Sequence, residues 1–300
     1  MTVLPTFSIV VPTYRRLERL AVCLRSLETL DYPRDRFEVI VVDDGGNLPL
    51  PRIPAPIDVV LLTQLHAGPA SARNRGAARA RGKYLAFTDD DCRPDPGWLR
   101  AMAARVAQAP DHAIGGRTIN ALPHNPYSTA TQLLVDFLSE WHAGHENAAF
   151  FASNNLVVPA DLFLARGGFD ADFRLAAGED REFCHRWGRS GGRFTYALEA
   201  LVRHEHHLDL GSFWRQHVTY GRGALHFHRI LARAEHGPPA PTPLSFYPQL
   251  VTYPLQVRHE RRLLLTALLL LAQVATVAGY GQERLRRQPG PALGDRDQRK

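Results

Sequence analysis

Short apolar runs alternate with amphipathic stretches through the first third of the chain. Phe7 to Val11, Phe37 to Val42, Ile57 to Leu62 and Tyr84 to Phe87 are compact runs of strand length. Between the first two, Leu17, Leu20, Leu24 and Leu27 recur at helical spacing. A second helix opens at Gly68-Pro69, with Pro at its first position, and runs to about Ala80. A third is expected from Pro96 to Gln108. Strands alternating with helices predict an α/β fold with a mostly parallel, doubly wound sheet. Three strand ends are polar: Pro12-Thr13-Tyr14, Asp43-Asp44 and Asp89-Asp90-Asp91. In open α/β sheets, ligands bind outside the carboxyl ends of the strands.

The second half is less regular. Ala113 to Ile119 reads as a strand, Asn125 to Glu146 as mixed helix and loop, and Phe150 to Val158 as extended. Asp161 to Arg166 reads as a short helix. Glu179 to Arg189 is helical and closed by Ser190-Gly191-Gly192. Phe194 to Tyr196 and Leu201 to Arg203 are two short strands, and Leu210 to Arg233 is a long amphipathic helix. Residues 237–248 are Pro-rich and read as linker. Leu263 to Tyr280 is nearly all apolar and flanked by arginines on both sides, so charge sets no orientation. Its length is marginal for a bilayer. Two readings stay open, a membrane-associating helix and a hydrophobic helix packed on protein.

Composition narrows the function. A net charge of +6 comes almost entirely from Arg, with Lys at positions 83 and 300 alone. Arg suits bidentate contacts to phosphate and carboxylate. The charge is spread along the chain with no nucleic-acid-binding motif, so a phosphate-bearing substrate or an anionic membrane surface fits better than DNA or RNA. Cys23, Cys92 and Cys184 are too few and too far apart for a disulfide framework or a zinc site, which points to a reducing, cytoplasmic compartment. The opening residues carry no signal-peptide pattern.

The acidic triplet carries the chemistry. Three adjacent carboxylates at a strand end repel one another, and a divalent cation with oxygen ligands relieves that repulsion. The competing reading is a solvated acidic turn broken by Pro94 and Pro96.

Four ordered pieces then resemble one family: FSIVVPTYRR, VIVVDDGG, GPASARNRGAARARGKYLAFTDDDCRPDPGWL and GGFDADFRLAAGEDREFCHRW. Over about residues 5–205 they look like a family 2 glycosyltransferase. The resemblance implies the GT-A fold and inverting transfer of a sugar from a nucleotide-diphosphate sugar, UDP-linked in most members, helped by Mn²⁺ or Mg²⁺. It implies a glycan or lipid-linked acceptor and a place in cell-envelope polysaccharide or glycolipid synthesis. By the family's pattern Asp91 coordinates the metal, Asp89 does so directly or through water, and Asp90 reaches the ribose. His204 follows a late strand as a third metal ligand, with His206 its nearest substitute. Asp180, in Glu179-Asp180, matches the general base at a helix start. Asp44 matches the base-binding position with Asp43 near the ribose. Pro12, Thr13 and Tyr14 line the same pocket, and Arg73, in the Arg73-Asn74-Arg75-Gly76 run, lies near the nucleobase. Trp141, His142 and Asn154-Asn155 fall in the acceptor region, and Gly167-Gly168-Phe169-Asp170 is a turn shaping that side.

The expected domains are a transferase unit at 1–235 (nucleotide half 1–120, acceptor half 121–235), a linker at 236–258, a hydrophobic helix at 259–287 and a disordered tail at 288–300. Attachment to the cytoplasmic face of a membrane would run through 259–287. Two other classes compete. A nucleotidyltransferase would carry a Gly-rich phosphate loop after the first strand, where this chain has Pro12-Thr13-Tyr14-Arg15-Arg16. An inactive, transferase-like membrane adaptor is the other, although all the acids of the pattern are present.

Overall fold

The computed structural model describes residues 4–46, 57–143, 150–233, 243–257 and 259–286. The expected loop at 47–56 and tail at 288–300 lie outside these residues. Eight strands form one sheet: β1 (Phe7–Thr13), β2 (Phe37–Asp43), β3 (Val59–Thr63), β4 (Tyr84–Phe87), β5 (Cys92–Pro94), β6 (Ala113–Asn120), β7 (Leu156–Pro159) and β8 (Phe194–His204). The helices are α1 (Leu17–Glu28), α2 (Pro69–Arg79), α3 (Trp98–Gln108), α4 (Pro126–Ala143), α5 (Ala160–Ala165), α6 (Glu179–Arg189), α7 (Leu210–Arg233), α8 (Phe246–Gln256) and α9 (Arg262–Leu285).

The strand order is β3-β2-β1-β4-β7-β6-β8-β5. β1 to β4 pair in parallel, as does β6 with β8, while β7 and β5 pair antiparallel with their neighbours. Every residue of β1 and β2 is buried, which is why their sequences read as continuous apolar runs. Alternate residues feed different faces. Ile9 and Val11 join Leu20, Leu24, Trp98 and Met102 on one side, while Val10 joins Phe87, Phe163, Phe169 and Trp187 on the other. Gly76 lets α2 lie directly on β1, since a Cβ there would sit 2.5 Å from Val10 Cγ1.

Three expectations change. The two short strands after α6 are one strand, β8, broken by a register shift opposite Gly116 and Arg117. The mixed stretch 125–146 is a continuous helix as far as Ala143. The stretch expected as a linker, 236–258, carries α8, which buries Leu250, Tyr253 and Pro254 despite its prolines. Tyr253 also donates a 2.7 Å hydrogen bond to Glu140 on α4. Pro248 lies in the first turn, where no intrahelical donor is lost, and Pro254 near the end, where little helix remains to break.

Helices α7, α8, α9 and α4 pack around a separate apolar cluster that includes Phe137, Phe213, Leu250 and Leu269. Inside α7, His217 is fully buried between Phe213 and Tyr220, with neither ring nitrogen bonded to a described residue. Burial pushes its pKa down from 6.5 to about 4. The unfolded chain binds this proton below about pH 6.5, whereas the folded chain resists it until about pH 4. Stability from this group is therefore complete above pH 6.5 and lost as the pH falls through that window, by roughly 3 kcal/mol in all. Urea titrations from pH 7 to pH 4 should show His217→Leu losing less stability than the unsubstituted protein. Parallel losses in the two would contradict the assignment.

Candidate active site

The sheet brings the ends of several strands to one edge. The parallel register sets Thr13 against Asp43, and the antiparallel pairing of β5 with β8 sets Cys92 against His204. Asp89, Asp90 and Asp91 cross from β4 to β5 between them, and the Glu205 N–H donates to the Asp91 carbonyl at 2.8 Å. The backbone thus fixes Asp91 beside the end of β8.

The three aspartates have different surroundings. Asp91 Oδ1 lies 3.2 Å from His204 Nε2, and its Oδ2 accepts from Arg16 at 3.3 Å and Arg19 at 3.4 Å. Burial alone would raise its pKa, but His204 and Arg16 outweigh burial and hold it well below the usual carboxylate range. Asp90 accepts from Thr13 Oγ1 at 2.7 Å and from Arg16 at 3.2 Å. Burial, then the charge of Asp91, pushes its carboxyl up to about 6. Asp89 is the most open, with 28% of its side chain exposed against 5% for Asp90 and 9% for Asp91. It accepts from Arg73 Nη2 at 2.6 Å.

Arg73 is buried and divides its guanidinium between two acids, since Nη1 donates to Glu179 Oε1 at 3.0 Å. Burial would lower its pKa, yet Asp89 and Glu179 hold it above the ordinary value. The next residue, Asn74, donates to the Phe169 carbonyl at 2.7 Å and accepts from the Phe169 N–H at 2.8 Å. That double bond fixes the Gly167-Gly168 turn, whose glycines have φ of +80° and +66°. The turn leads towards Gly178, the left-handed residue that opens α6.

Glu179 and Asp180 begin α6, and Asp180 Oδ1 accepts from the Arg181 N–H at 2.8 Å. Burial raises both carboxyls. The charge of Asp180 adds to the effect on Glu179, which reaches about 7 against the pull of Arg73. Asp180 stands within electrostatic reach of Arg73 and Asp89.

Just past the end of β2, Asp44 uses both carboxylate oxygens within the protein. Oδ1 accepts from Gln64 Nε2 (2.7 Å) and the Ala67 N–H (2.8 Å), and Oδ2 meets the Gly68 N–H (2.9 Å) and His66 Nδ1 (2.9 Å). Asp43 is fully buried and accepts from the Gly45 N–H at 3.2 Å. Tyr14 is half-exposed and stacks on His66 at 4.2 Å, beside Pro12 and Thr13 at the end of β1.

A divalent metal fits this chemistry. Among the described residues, Asp91, Cys92 and His204 place one donor atom each within 4.8 Å of one another. An ionised carboxylate suits Mn²⁺ or Mg²⁺, and an imidazole beside it favours a transition ion over Mg²⁺. Cys92 belongs to the core, and burial pushes its thiol well above its ordinary value, so it enters this set as a packing residue. His206 stacks on His204 at 4.6 Å, and burial followed by the charge of His204 lowers it to about 4.

Other residues stand differently from their expected places. Arg73 sits between the triplet and α6, paired to acids. Asn155 holds the fold, accepting from the Trp98 indole at 2.8 Å and donating to the Ala200 carbonyl at 3.0 Å. Asn154 accepts from Thr118 at 3.1 Å. Trp141 packs on Phe137 and Phe246, and the His142 side chain lies outside the description. Sequence reasoning missed Arg16, Arg19 and the Arg73–Glu179 pair. A signal existed for Arg16, which lies three residues past the end of β1, in the same kind of strand-end loop as the acids.

Comparison with known proteins bears on the family and the fold. The family model described as Glycosyl transferase family 2 matches residues 8–164. The chain belongs to that family. Glu179, Asp180 and His204 lie beyond the matched stretch. A pre-mycofactocin glycosyltransferase from Mycobacterium tuberculosis is 30% identical over 217 residues, which is 69% of this chain and 44% of that protein. The chain therefore spans less than half the length of that relative. The mannosyltransferase PcManGT of Pyrobaculum calidifontis, solved with GDP-Man and Mn²⁺, superposes with a TM-score of 0.63 at 17% identity, covering 96% of this chain and 89% of that one. Residues 1–349 of S. aureus TarS with UDP-GlcNAc give 0.52 at 17% identity, covering 93% and 90%. These likenesses establish the shared GT-A fold. Family membership also removes the nucleotidyltransferase alternative.

The buried Arg73 pair makes a stability prediction. Arg73→Ala leaves Glu179 buried beside Asp180 without its cation and should cost about 3–5 kcal/mol in urea denaturation. Adding Glu179→Gln should recover part of that loss. A single-variant loss below about 1 kcal/mol, the scale of an exposed pair, would contradict the clamp.

Proposed function

We propose that the protein is an inverting, divalent-metal-dependent glycosyltransferase that moves a sugar from a nucleotide-diphosphate sugar to an acceptor hydroxyl. The observation that carries this reading is the Asp91–His204 contact of 3.2 Å, which brings a carboxylate and an imidazole together at the carboxyl edge of a GT-A sheet. Asp91 and His204 would hold Mn²⁺ or Mg²⁺, with Asp89 joining directly or through water. When bound, the ion offsets the negative charge that grows on the leaving diphosphate. Arg16 and Arg19 stand on the same carboxylates with 51% and 37% of their side chains exposed, so they can turn to phosphate oxygens.

Asp180 is the proposed base. It takes the proton of the acceptor hydroxyl as that oxygen bonds to the anomeric carbon from the face opposite the diphosphate, whose bond to that carbon breaks. Glu179, paired with Arg73, sets its position. Asp90 is the proposed ribose contact, with Asp43 also proposed to lie near the ribose. Pro12, Thr13 and Tyr14 are proposed to bound the nucleotide pocket, with Asp44 shaping it by fixing residues 64–68 and Arg73 positioning Asp89. The proposed acceptor is a glycan or a lipid-linked acceptor in envelope polysaccharide or glycolipid synthesis. Support comes from relatives described as succinoglycan biosynthesis protein ExoM and chondroitin synthase. A reducing, cytoplasmic site of action agrees with Cys23, Cys92 and Cys184, all unpaired and buried.

UDP sugars should be tried first, with GDP and dTDP sugars alongside, measuring release of the nucleoside diphosphate with Mn²⁺ and with EDTA. Metal-dependent turnover of one donor supports the proposal. Failure to bind or turn over any donor would favour the adaptor reading. Asp180→Asn should keep donor affinity and cut transfer by about 10²-fold or more, the usual scale for a lost general base. Normal transfer by that variant would rule Asp180 out.

A further inference from the structure

Helix α9 is apolar on two faces, and protein covers one of them. Leu265, Leu268, Leu269, Ala272, Ala275 and Gly279 are buried, against α4, α7 and α8. On the other side Leu263, Ala267, Leu270, Val274 and Val277 are exposed, with Leu263 at 76% and Val277 at 72%. Their spacing alternates four and three residues, which draws one straight stripe along a helix, about 21 Å long at 1.5 Å per residue. α8, packed against α9, also exposes Tyr247 and Leu255. A continuous apolar stripe of this kind marks an interaction surface.

The buried face says what α9 does not do. The backbones of α7 and α9 touch where Gly221 meets Gly279. A Cβ on Gly221 would fall 1.9 Å from the Thr276 carbonyl oxygen, and one on Gly279 would fall 2.0 Å from that of Val218. Arg222 pairs with Glu283 at 2.9 Å, and His228 Nδ1 lies 3.3 Å from the Tyr280 hydroxyl. α7 carries Arg215, Arg222, Arg229 and Arg233, so it does not follow α9 into hydrocarbon. Crossing a bilayer would require α9 to leave all these contacts.

The ends of the stripe say what covers it. Arg261 and Arg262 precede it and Arg284 and Arg286 follow it, all exposed. A second copy seated on the stripe would bring arginines against arginines at both ends, in a parallel or an antiparallel arrangement alike. An anionic lipid surface meets both requirements, with apolar depth for the stripe and negative charge for its ends. We propose that α9 lies in the plane of an anionic membrane, its exposed stripe sunk to the acyl boundary, while its other face stays packed on the transferase domain. This inference does not rest on the proposed reaction.

The test is vesicle flotation of the full chain with phosphatidylcholine alone or mixed with phosphatidylserine. The protein should float with the anionic vesicles, and high salt should weaken that binding. Leu270→Glu with Val277→Glu, both at exposed positions, should reduce binding about tenfold or more and leave the melting temperature unchanged. Bound protein bearing Glu260→Cys or Gln282→Cys should react, in each case, with a membrane-impermeant thiol reagent added outside the vesicles. Protection of one of these ends would mean that α9 spans, and would overturn the proposal. So would failure to bind anionic vesicles, or a dimer that the double substitution converts to monomer without any vesicle binding.

Discussion

The arrangement of the site depends on one buried cation. Arg73 lies inside the protein with Asp89 on one side of its guanidinium and Glu179 on the other. An unpaired carboxylate in the position of Glu179 would be costly, and so would an unpaired arginine. Each is tolerated because the planar fork offers two parallel sets of donors, a geometry that Lys lacks. The same turn of α2 supplies Asn74, which binds the Phe169 backbone twice, and Gly76, which admits α2 onto β1. Three residues within one run of four therefore tie the first strand, the aspartate triplet and the start of α6 into one unit.

Around that clamp, charge is balanced locally. Asp91 is offset by His204 and Arg16, Asp90 by Arg16 and the Thr13 hydroxyl, and Asp89 by Arg73. The cations differ in freedom. Arg73 is enclosed and structural, whereas Arg16 and Arg19 reach in from the surface on long side chains. Under the proposed reaction, these two exposed arginines are the cations free to turn towards the diphosphate of a donor. The acids also differ among themselves. Adjacent residues at a chain reversal point in different directions, so one triplet holds three environments.

Much of this was legible in the sequence, because buried parallel strands write themselves as apolar runs. Phe7–Thr13, Phe37–Asp43 and Tyr84–Phe87 stand where the runs of Val, Ile and Phe put them, and the acids stand at their ends. The resemblance of four ordered pieces supplied the family and the fold. What the sequence hid was pairing across distance. The Arg73-Asn74-Arg75-Gly76 run marks Arg73 out from Arg79, but nothing local shows its guanidinium buried between Asp89 and Glu179. The role of Asp44 as a clasp for residues 64–68 depends on backbone amides that carry no sequence signal. The single strand β8 was hidden by its register shift, which breaks the alternation that marks a strand. α8 was hidden by its prolines, which sit near helix ends and do little harm there. Asn154 and Asn155 read as polar and available, yet their amides complete buried hydrogen bonds with Thr118, Trp98 and Ala200.

On the proposed reading, the end of β8 and the aspartate triplet form one metal-binding, donor-binding centre. Anomalous scattering from crystals grown with Mn²⁺ and a nucleoside diphosphate tests it most directly. A manganese peak should lie within coordination distance of the Asp91 carboxylate and the His204 imidazole, with Arg16 drawn off Asp91 towards the diphosphate. Nucleotide bound in the same cleft with no manganese at Asp91 and His204 would contradict it.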